Sequence, residues 1–384
     1  MGELFSLMRF LRFAPFNHSK VWDTCIRNST RRAALLLKSV MLRRTKQMKT
    51  PDGSPLVHLP PRTFTLHRLN LTTIEQAIHD TLGNRSRALF SAFIRQRRLG
   101  LGLASADTNS YTYASFLCAL LRMRQACCHP ALLRESLDPA SVALALSGLS
   151  LDDVNGTTTS TSPNTGAQGR AASRDHVDHA SAKEVAEVTT ETLLNITSLA
   201  EETWVSTKIG FVLGLLRDVR TSRPGDKVVI VSQWTSLLRI LELHLQREGW
   251  RYVVIDGSVA PSHRKDIISD FNKNPAGAEI MLLSMGAGGV GLNLIGGNHL
   301  VLLDIHWNPA MEAQVCDRVY RVGQTKPVFV HKLLCRGTIE DRVQKLQDRK
   351  RKLFAAVVPE QGAKGAGDQA GSRLTLEDMQ HLFA

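Results

Sequence analysis

No stretch of this 384-residue sequence approaches ~18 uninterrupted apolar residues, which argues against a membrane-spanning helix. Cysteine is scarce: Cys25, Cys118, Cys127, Cys128, Cys316 and Cys335 are too scattered for a disulfide framework and form no C-x-x-C pair. A reducing compartment is the simpler reading. On that reading the triplets Asn28-Ser-Thr and Asn195-Ile-Thr carry no glycan. No secretory signal peptide opens the chain, because Arg9 and Arg12 interrupt its first apolar residues. The opening Met1-Gly-Glu-Leu-Phe-Ser6 fits the N-myristoylation pattern, but so short a pattern arises readily by chance. Also missing is any G-x-x-x-x-G-K-[ST] loop, the phosphate-cradling signature of many nucleotide-binding proteins.

Acidic residues are nearly absent from one region. Residues 1–100 hold 18 Lys+Arg against 5 Asp+Glu, a balance of +13, whereas residues 101–200 hold 6 against 10, or −4. A basic block of this kind suits a polyanion such as nucleic acid. A solvated basic surface with some buried ion pairs explains the same numbers equally well. With 43% apolar residues the chain can bury one or two sizeable cores.

Along the chain the organisation changes several times. Residues 1–50 carry helical spacing in Leu4, Leu7 and Leu11 and a second run from Ala33 to Leu42, followed by Arg43-Arg44-Thr45-Lys46. Thr50-Pro-Asp-Gly-Ser-Pro55 reads as a turn. A strand-like Phe64 to Leu71 and further helical segments occupy the region up to about 146. Residues 147–182 shift to Thr, Ser, Gly, Asn and Asp, too poor in large apolar side chains to offset ordering entropy, and read as a disordered insert. His176 and His179 within it have no further ligands nearby and read as solvated.

From Thr203 onward strands alternate with helices. Lys227–Ser232, Tyr252–Asp256, Glu279–Ser284, His299–Asp304 and Val328–Leu333 are short apolar runs. Amphipathic stretches separate them at Leu237 to Leu245, Ser262 to Phe271 and Met311 to Tyr320. This pattern predicts an α/β fold with a parallel sheet covered by helices on both faces. Ligands of such sheets lie beyond the carboxyl ends of the strands. Here those ends are polar: Ser232-Gln-Trp, Asp256-Gly-Ser, Ser284-Met-Gly and Asp304-Ile-His-Trp-Asn-Pro309. A basic amphipathic helix over 338–357 follows, and Thr375 with Asp378 reads as a capping box opening a last short helix.

Three motifs invite chemistry. Gly286-Ala-Gly-Gly-Val-Gly291 is formally G-x-G-x-x-G, but Asp304 ends the next strand only 13 residues after Gly291, too soon for a crossover helix. A loop whose backbone approaches phosphate or nucleic acid fits better. Cys127-Cys128-His129 lacks zinc-ligand spacing and sits in helical context, so buried helix-end thiols are favoured over a metal site or a nucleophile. In Gln314–Gln324, Arg318 and Arg321 lie three apart, a spacing that puts them on one helix face. Two guanidinium forks suit phosphate oxygens, as in arginine fingers. Paired arginines are more often a solvated face, but Gln314, Asp317, Gln324 and the glycine of Gly323 around them favour function. Trp234 and Trp307, at strand ends, could stack on bases or close the core.

In order, these motifs resemble the second motor lobe of Swi/Snf-type ATPases, double-stranded-DNA translocases of the helicase superfamily. Leu42-Arg-Arg-Thr-Lys46, Leu59-Pro-Pro61 and Leu121 to Pro130 resemble the end of that family's first lobe and its helical protrusion. His306, Tyr320, the run Gly296-Gly297-Asn298-His299 and Leu374-Thr-Leu-Glu-Asp are similar to the lodestar / transcription termination factor branch. The resemblance implies a RecA-like lobe over 183–337, preceded by a first-lobe remnant over 1–50 and a linker and protrusion over 51–146. A brace helix and tail then occupy 338–384. It implies that Arg318 and Arg321 act catalytically on a γ-phosphate, with Gly289, Gly291, Gln314 and Asp317 lining the ATP cleft. Gln233, Trp234, Ser284 and Trp307 are implied to face the DNA backbone. ATP and Mg2+ are implied for the complete motor, with none held by this chain alone and no separate metal site. The implied partners are double-stranded DNA, the RNA polymerase II elongation complex and a missing first motor lobe, with no membrane. The implied setting is the nucleus, with the cytoplasm as a second compartment, and the implied task is release of polymerase and transcript from DNA. The absent phosphate loop departs from the family and suggests a truncated chain that is inactive alone; a non-catalytic scaffold retaining only this lobe is the alternative.

Overall fold

The chain forms a six-stranded, all-parallel sheet whose three central apolar runs, 228–232, 280–284 and 299–302, are buried throughout, while the first strand, Arg62–Leu69, alternates with polar residues and is largely exposed. The computed structural model describes residues 2–40, 46, 48–50, 52–98, 113–133, 201–288 and 291–357. The insert at 147–182 with its two histidines, the capping box at Thr375 and Asp378, and Gly289 all lie outside the described residues.

The strands are β1 (Arg62–Leu69), β2 (Val228–Ser232), β3 (Tyr252–Ile255), β4 (Ile280–Ser284), β5 (His299–Leu302) and β6 (Val328–Cys335), in spatial order β1-β6-β5-β2-β4-β3. The described helices are α1 (Gly2–Phe10), α2 (Ser19–Cys25), α3 (Thr30–Val40), α4 (Thr73–Arg98), α5 (Tyr113–Ala126), α6 (Thr207–Ser222), α7 (Thr235–Arg247), α8 (Pro261–Lys273), α9 (Pro309–Val319) and α10 (Ile339–Val357), with a single turn at Met285–Gly288. This is the parallel α/β arrangement that the strand and helix pattern of the sequence predicts.

Alternate strand residues feed two cores. Val229, Val231, Met281, Leu283, Leu300 and Leu302 meet Phe271 of α8 and Val315 and Val319 of α9. Their neighbours Val228, Ile230, Ile280, Leu282, Val301 and Leu303 meet α6 and α7 through Ile209, Val212, Leu216, Leu237 and Leu241. Each such side chain, fully buried, contributes about 1.5–3 kcal/mol against exposure. α1–α3 form a cluster of their own around Met8, Trp22, Ile26 and Leu36.

Two features position the strand ends. Strand β1, from the segment read as linker and protrusion, pairs with β6 along its whole length, Arg62 opposite Val328 to Leu69 opposite Cys335. Below it, Glu75 at the start of α4 accepts the Thr72 N–H at 2.9 Å and the Thr207 N–H at 3.0 Å, so one carboxylate ties α4 to the start of α6. Then α5 packs on α10 through Leu120, Met123, Ile339, Val343 and Leu346.

Candidate functional site

Two neighbouring strands, β2 and β5, end side by side, and their polar termini are joined by one carboxylate. Asp304, only 2% exposed, accepts the Ser232 hydroxyl, the Gln233 N–H at 3.2 Å and the Gln233 side-chain amide at 2.6 Å. Ser232 Oγ in turn accepts the Trp234 N–H at 2.9 Å. A buried ion is tolerated when its lone pairs are filled this way. The result fixes the backbone of Ser232-Gln-Trp at the carboxyl end of the sheet, the strand-end edge. Sequence reasoning placed Asp304 at a strand end without assigning it this role.

Gln233, Trp234 and Trp307 are half-buried there, each presenting part of its side chain outward. Ser284 differs. It is 5% exposed, and its hydroxyl accepts the Ala287 N–H at 3.3 Å, opening the turn Met285–Gly288. At the same edge, the Arg264 guanidinium holds the turn after β3 by donating to the carbonyls of Val259 (2.8 Å) and Asp256 (2.9 Å).

The arginine segment departs from expectation. Helix α9 opens with Asn308, whose side chain accepts the Ala310 N–H at 3.0 Å, followed by Pro309. It ends at Val319, and Tyr320 leaves helical geometry with ψ 81°. Arg318 therefore stands in the last helical turn while the exposed Arg321 lies beyond the helix, so the two do not share a helix face. Long-range partners stop the helix. The buried Gln324 amide donates to the carbonyls of Val319 (3.2 Å) and Gly297 (2.9 Å), and its oxygen accepts the N–H groups of Thr325 and Lys326 at 3.0 Å each. Gln324 is thus a structural clasp inside the fold rather than a surface group beside the arginines. Gly323, at φ +101°, makes the turn that permits it.

The remaining sequence-predicted groups gather on both sides of this turn. The Leu294 N–H donates to the Arg318 carbonyl at 3.0 Å, which seats the segment following the glycine run against the end of α9. Gly291 is exposed nearby in that run. Gln314 and Asp317 are exposed on α9. Asp317 pairs with Lys46 at 2.7 Å, and Lys46 also donates to the Tyr320 carbonyl. The Tyr320 ring lies under the Arg62 guanidinium at 4.5 Å. Lys46 and Arg62 reach this site from the chain's first third, which spacing within 314–324 gave no means of seeing.

The cysteines of the 127–129 motif pack in the interior. Cys127 and Cys128 are buried, and burial pushes the Cys128 thiol up to about 12 and Cys127 well above its ordinary value, so both stay protonated. His129 uses both ring nitrogens, toward the Trp204 carbonyl at 2.9 Å and the Ala131 N–H at 3.1 Å. Among the described residues no group of three potential ligands could hold a metal ion.

As a nucleotide site, these residues fit one wall: guanidinium groups and a glycine run, with no phosphate-cradling loop in the sequence. Comparison with known proteins places the chain by family. Residues 207–323 match the family described as helicase conserved C-terminal domain, and residues 1–132 match the SNF2-related domain. This chain belongs to the Swi/Snf-type, SNF2-related family of the helicase superfamily. It is 34% identical to Transcription termination factor 2 of Drosophila melanogaster over 99% of this chain and 40% of that protein. Against DNA repair protein RAD5B of Arabidopsis thaliana it is 27% identical, over 100% of this chain and 33% of that one. The chain thus spans less than half the length of these curated relatives. A solved structure, the C-terminal part of the Fun30 ATPase domain, shares 22% identity and a TM-score of 0.49, covering 76% of this chain and 90% of that one.

Proposed function

We propose that this chain is the second-lobe half of an ATP-dependent double-stranded-DNA translocase acting in transcription termination. The observation that carries the reading is the hydrogen bond from the Leu294 N–H, just after the glycine run, to the Arg318 carbonyl, beside a strand-end edge ordered by Asp304. One surface then offers guanidinium groups for a phosphate, and the other offers Gln233, Trp234 and Trp307 for a polyanion backbone. Arg318 and Arg321 act on the γ-phosphate of ATP·Mg2+ held by another lobe, stabilising charge as phosphoryl transfer proceeds. Gly291 borders the same cleft, with Gln314 and Asp317 on α9. Ser284 acts from within, shaping the edge rather than touching the duplex. The basic first hundred residues supply salt-sensitive attraction to DNA. The Drosophila relative's name supports a termination role, and release of RNA polymerase II with its transcript, in the nucleus, is the task this reading assigns.

Duplex affinity measured by fluorescence anisotropy between 50 and 200 mM salt (~0.05–0.2 M) tests the DNA half of the reading. A steep linear fall of log affinity with log salt is expected, and salt-independent binding overturns it. Mixed with a separate lobe that carries a phosphate loop, the chain should restore duplex-stimulated phosphate release, and the Arg318→Ala and Arg321→Ala variants should not. No restoration by the unaltered chain favours the second reading, a non-catalytic scaffold. Retention on templates bearing stalled RNA polymerase II, compared with bare duplex, tests the termination role against a repair role such as the Arabidopsis relative's name carries.

A further inference from the structure

Arg124 is among the most buried side chains of the described structure, 1% exposed, and it lies on α5, outside the parallel lobe. Its Nη2 donates to the carbonyl of Ile305, one residue after Asp304. Its Nε and Nη1 have no hydrogen-bond partner, and neither does the buried Nε1 of Trp234. What surrounds the guanidinium instead is aromatic: the Trp307 ring centroid at 4.4 Å and the Trp234 ring centroid at 5.8 Å. Burial pushes the Arg124 pKa down, and the Asp304 carboxylate is the largest influence pulling it back up.

As a packing element this is a poor choice. A buried guanidinium with two unfilled donors is costly, and an aliphatic side chain of similar volume would fill the space at lower free energy. What an aliphatic group cannot supply is a charge facing two indoles and a carboxylate at once. Cation–ring contacts strengthen when desolvated, as here. Asp304 meanwhile binds Ser232 and both N–H groups of Gln233. Arg124 therefore sits against both indoles of the strand-end edge, Trp234 after β2 and Trp307 after β5.

We propose that Arg124 is a positioning residue, which fixes the Trp234 and Trp307 rings from behind so that the strand-end edge can engage a DNA duplex without Arg124 itself touching the nucleic acid. The inference rests on the reading of this edge as duplex-facing. It makes the duplex affinity of the lobe depend on α5, the helix that carries Arg124.

The full chain tests this with Arg124→Gln, which keeps a donor for the Ile305 carbonyl but removes the charge, and Arg124→Lys, which keeps the charge. Duplex affinity should fall about fivefold for Arg124→Gln and about twofold for Arg124→Lys, in line with one desolvated cation–ring contact. The salt slope should stay unchanged in both, because no phosphate contact is lost; a direct phosphate contact would reduce it by ~0.9. In a ¹⁵N-labelled sample, the indole N–H signals of Trp234 and Trp307 should move while those of Trp22, Trp204 and Trp250 stay. Trp307→Ala and Gln233→Ala serve as references. If these bind duplex like the unaltered chain, the duplex reading of the edge fails, and this inference with it. If they weaken binding while Arg124→Gln does not, or if Arg124→Gln lowers the salt slope, only the positioning role is overturned. Should Arg124→Gln not fold, Arg124→Lys decides: unmoved Trp307 and Trp234 signals overturn the proposal.

Discussion

The side-chain amide of Gln233 donates to Asp304 Oδ1 at 2.6 Å across 71 residues of sequence, joining the ends of two strands that are neighbours only in the fold. The carboxylate accepts and donates nothing, which is why it can take a hydroxyl and two N–H groups together. Asp304→Asn replaces one acceptor oxygen by an NH2 group and sets donor against donor. Loss of about 2–3 kcal/mol is expected from the buried groups left unmatched. Thermal unfolding followed by circular dichroism measures it, and duplex affinity should fall in parallel.

Gly296 offers a steric test. A Cβ there would stand 2.5 Å from Asn272 Cα and 2.8 Å from the Phe271 carbonyl oxygen, both backbone atoms that cannot step aside. Gly296→Ala should destabilise the chain by about 1–3 kcal/mol, as overpacking does. An unchanged unfolding midpoint in urea would show that α8 can shift away.

Lys208 and Glu340 form a fully buried pair at 2.6 Å, with side chains 0% and 1% exposed. Lys208 also donates to the Leu303 carbonyl at 2.8 Å, and Glu340 accepts the Cys335 N–H at 2.8 Å. Lys208→Met leaves the carboxylate buried without its cation and should cost about 3–5 kcal/mol. The double change Lys208→Met with Glu340→Leu should cost less than the two single changes summed. A double-mutant cycle in urea reads both figures.

Stability should fall on acidification through a row of three histidines. His67 Nε2 meets His331 Nδ1 at 3.1 Å, His331 Nε2 meets His299 Nδ1 at 3.3 Å, and His299 Nε2 meets Asp226 at 3.3 Å. Each ring donates through Nε2 to the next group, so three neutral rings complete the row. Burial, then the neighbouring rings of His299 and His67, pushes His331 down to about 4, and burial lowers His67 and His299 as well. The folded state thus binds fewer protons than the unfolded chain between the ordinary histidine range and about pH 4. The stabilisation is complete at neutral pH and is lost as pH falls through that window. His331→Phe should flatten the acid limb of a plot of unfolding midpoint against pH.

How much of this was legible depended on the range of the interactions. The strands declared themselves because Val228–Val231 or Ile280–Leu283 are apolar without interruption, and burial on both faces requires that. The order of polar strand ends was likewise readable, and so was the family. The end of α9 was not. Arg-Val-Tyr-Arg has no local helix breaker, and the groups that take the Val319 and Tyr320 carbonyls are Gln324 and Lys46, the second from 274 residues away. Arg124 was equally hidden, since an arginine in an amphipathic helix reads as a solvated group until the two tryptophans are seen around it.

Strand β1 lies about 160 residues of sequence ahead of the other five, yet its eight registered pairs make it the rim of their sheet. A fragment beginning at 201 would therefore leave the amide and carbonyl groups of β6 bare along one side, beside the apolar Leu333 and Leu334. Such an unpaired border recruits strands from other molecules. Anyone excising the lobe for crystallisation or for trans-complementation should carry residues 62–69 with it, or expect a sticky, self-associating product.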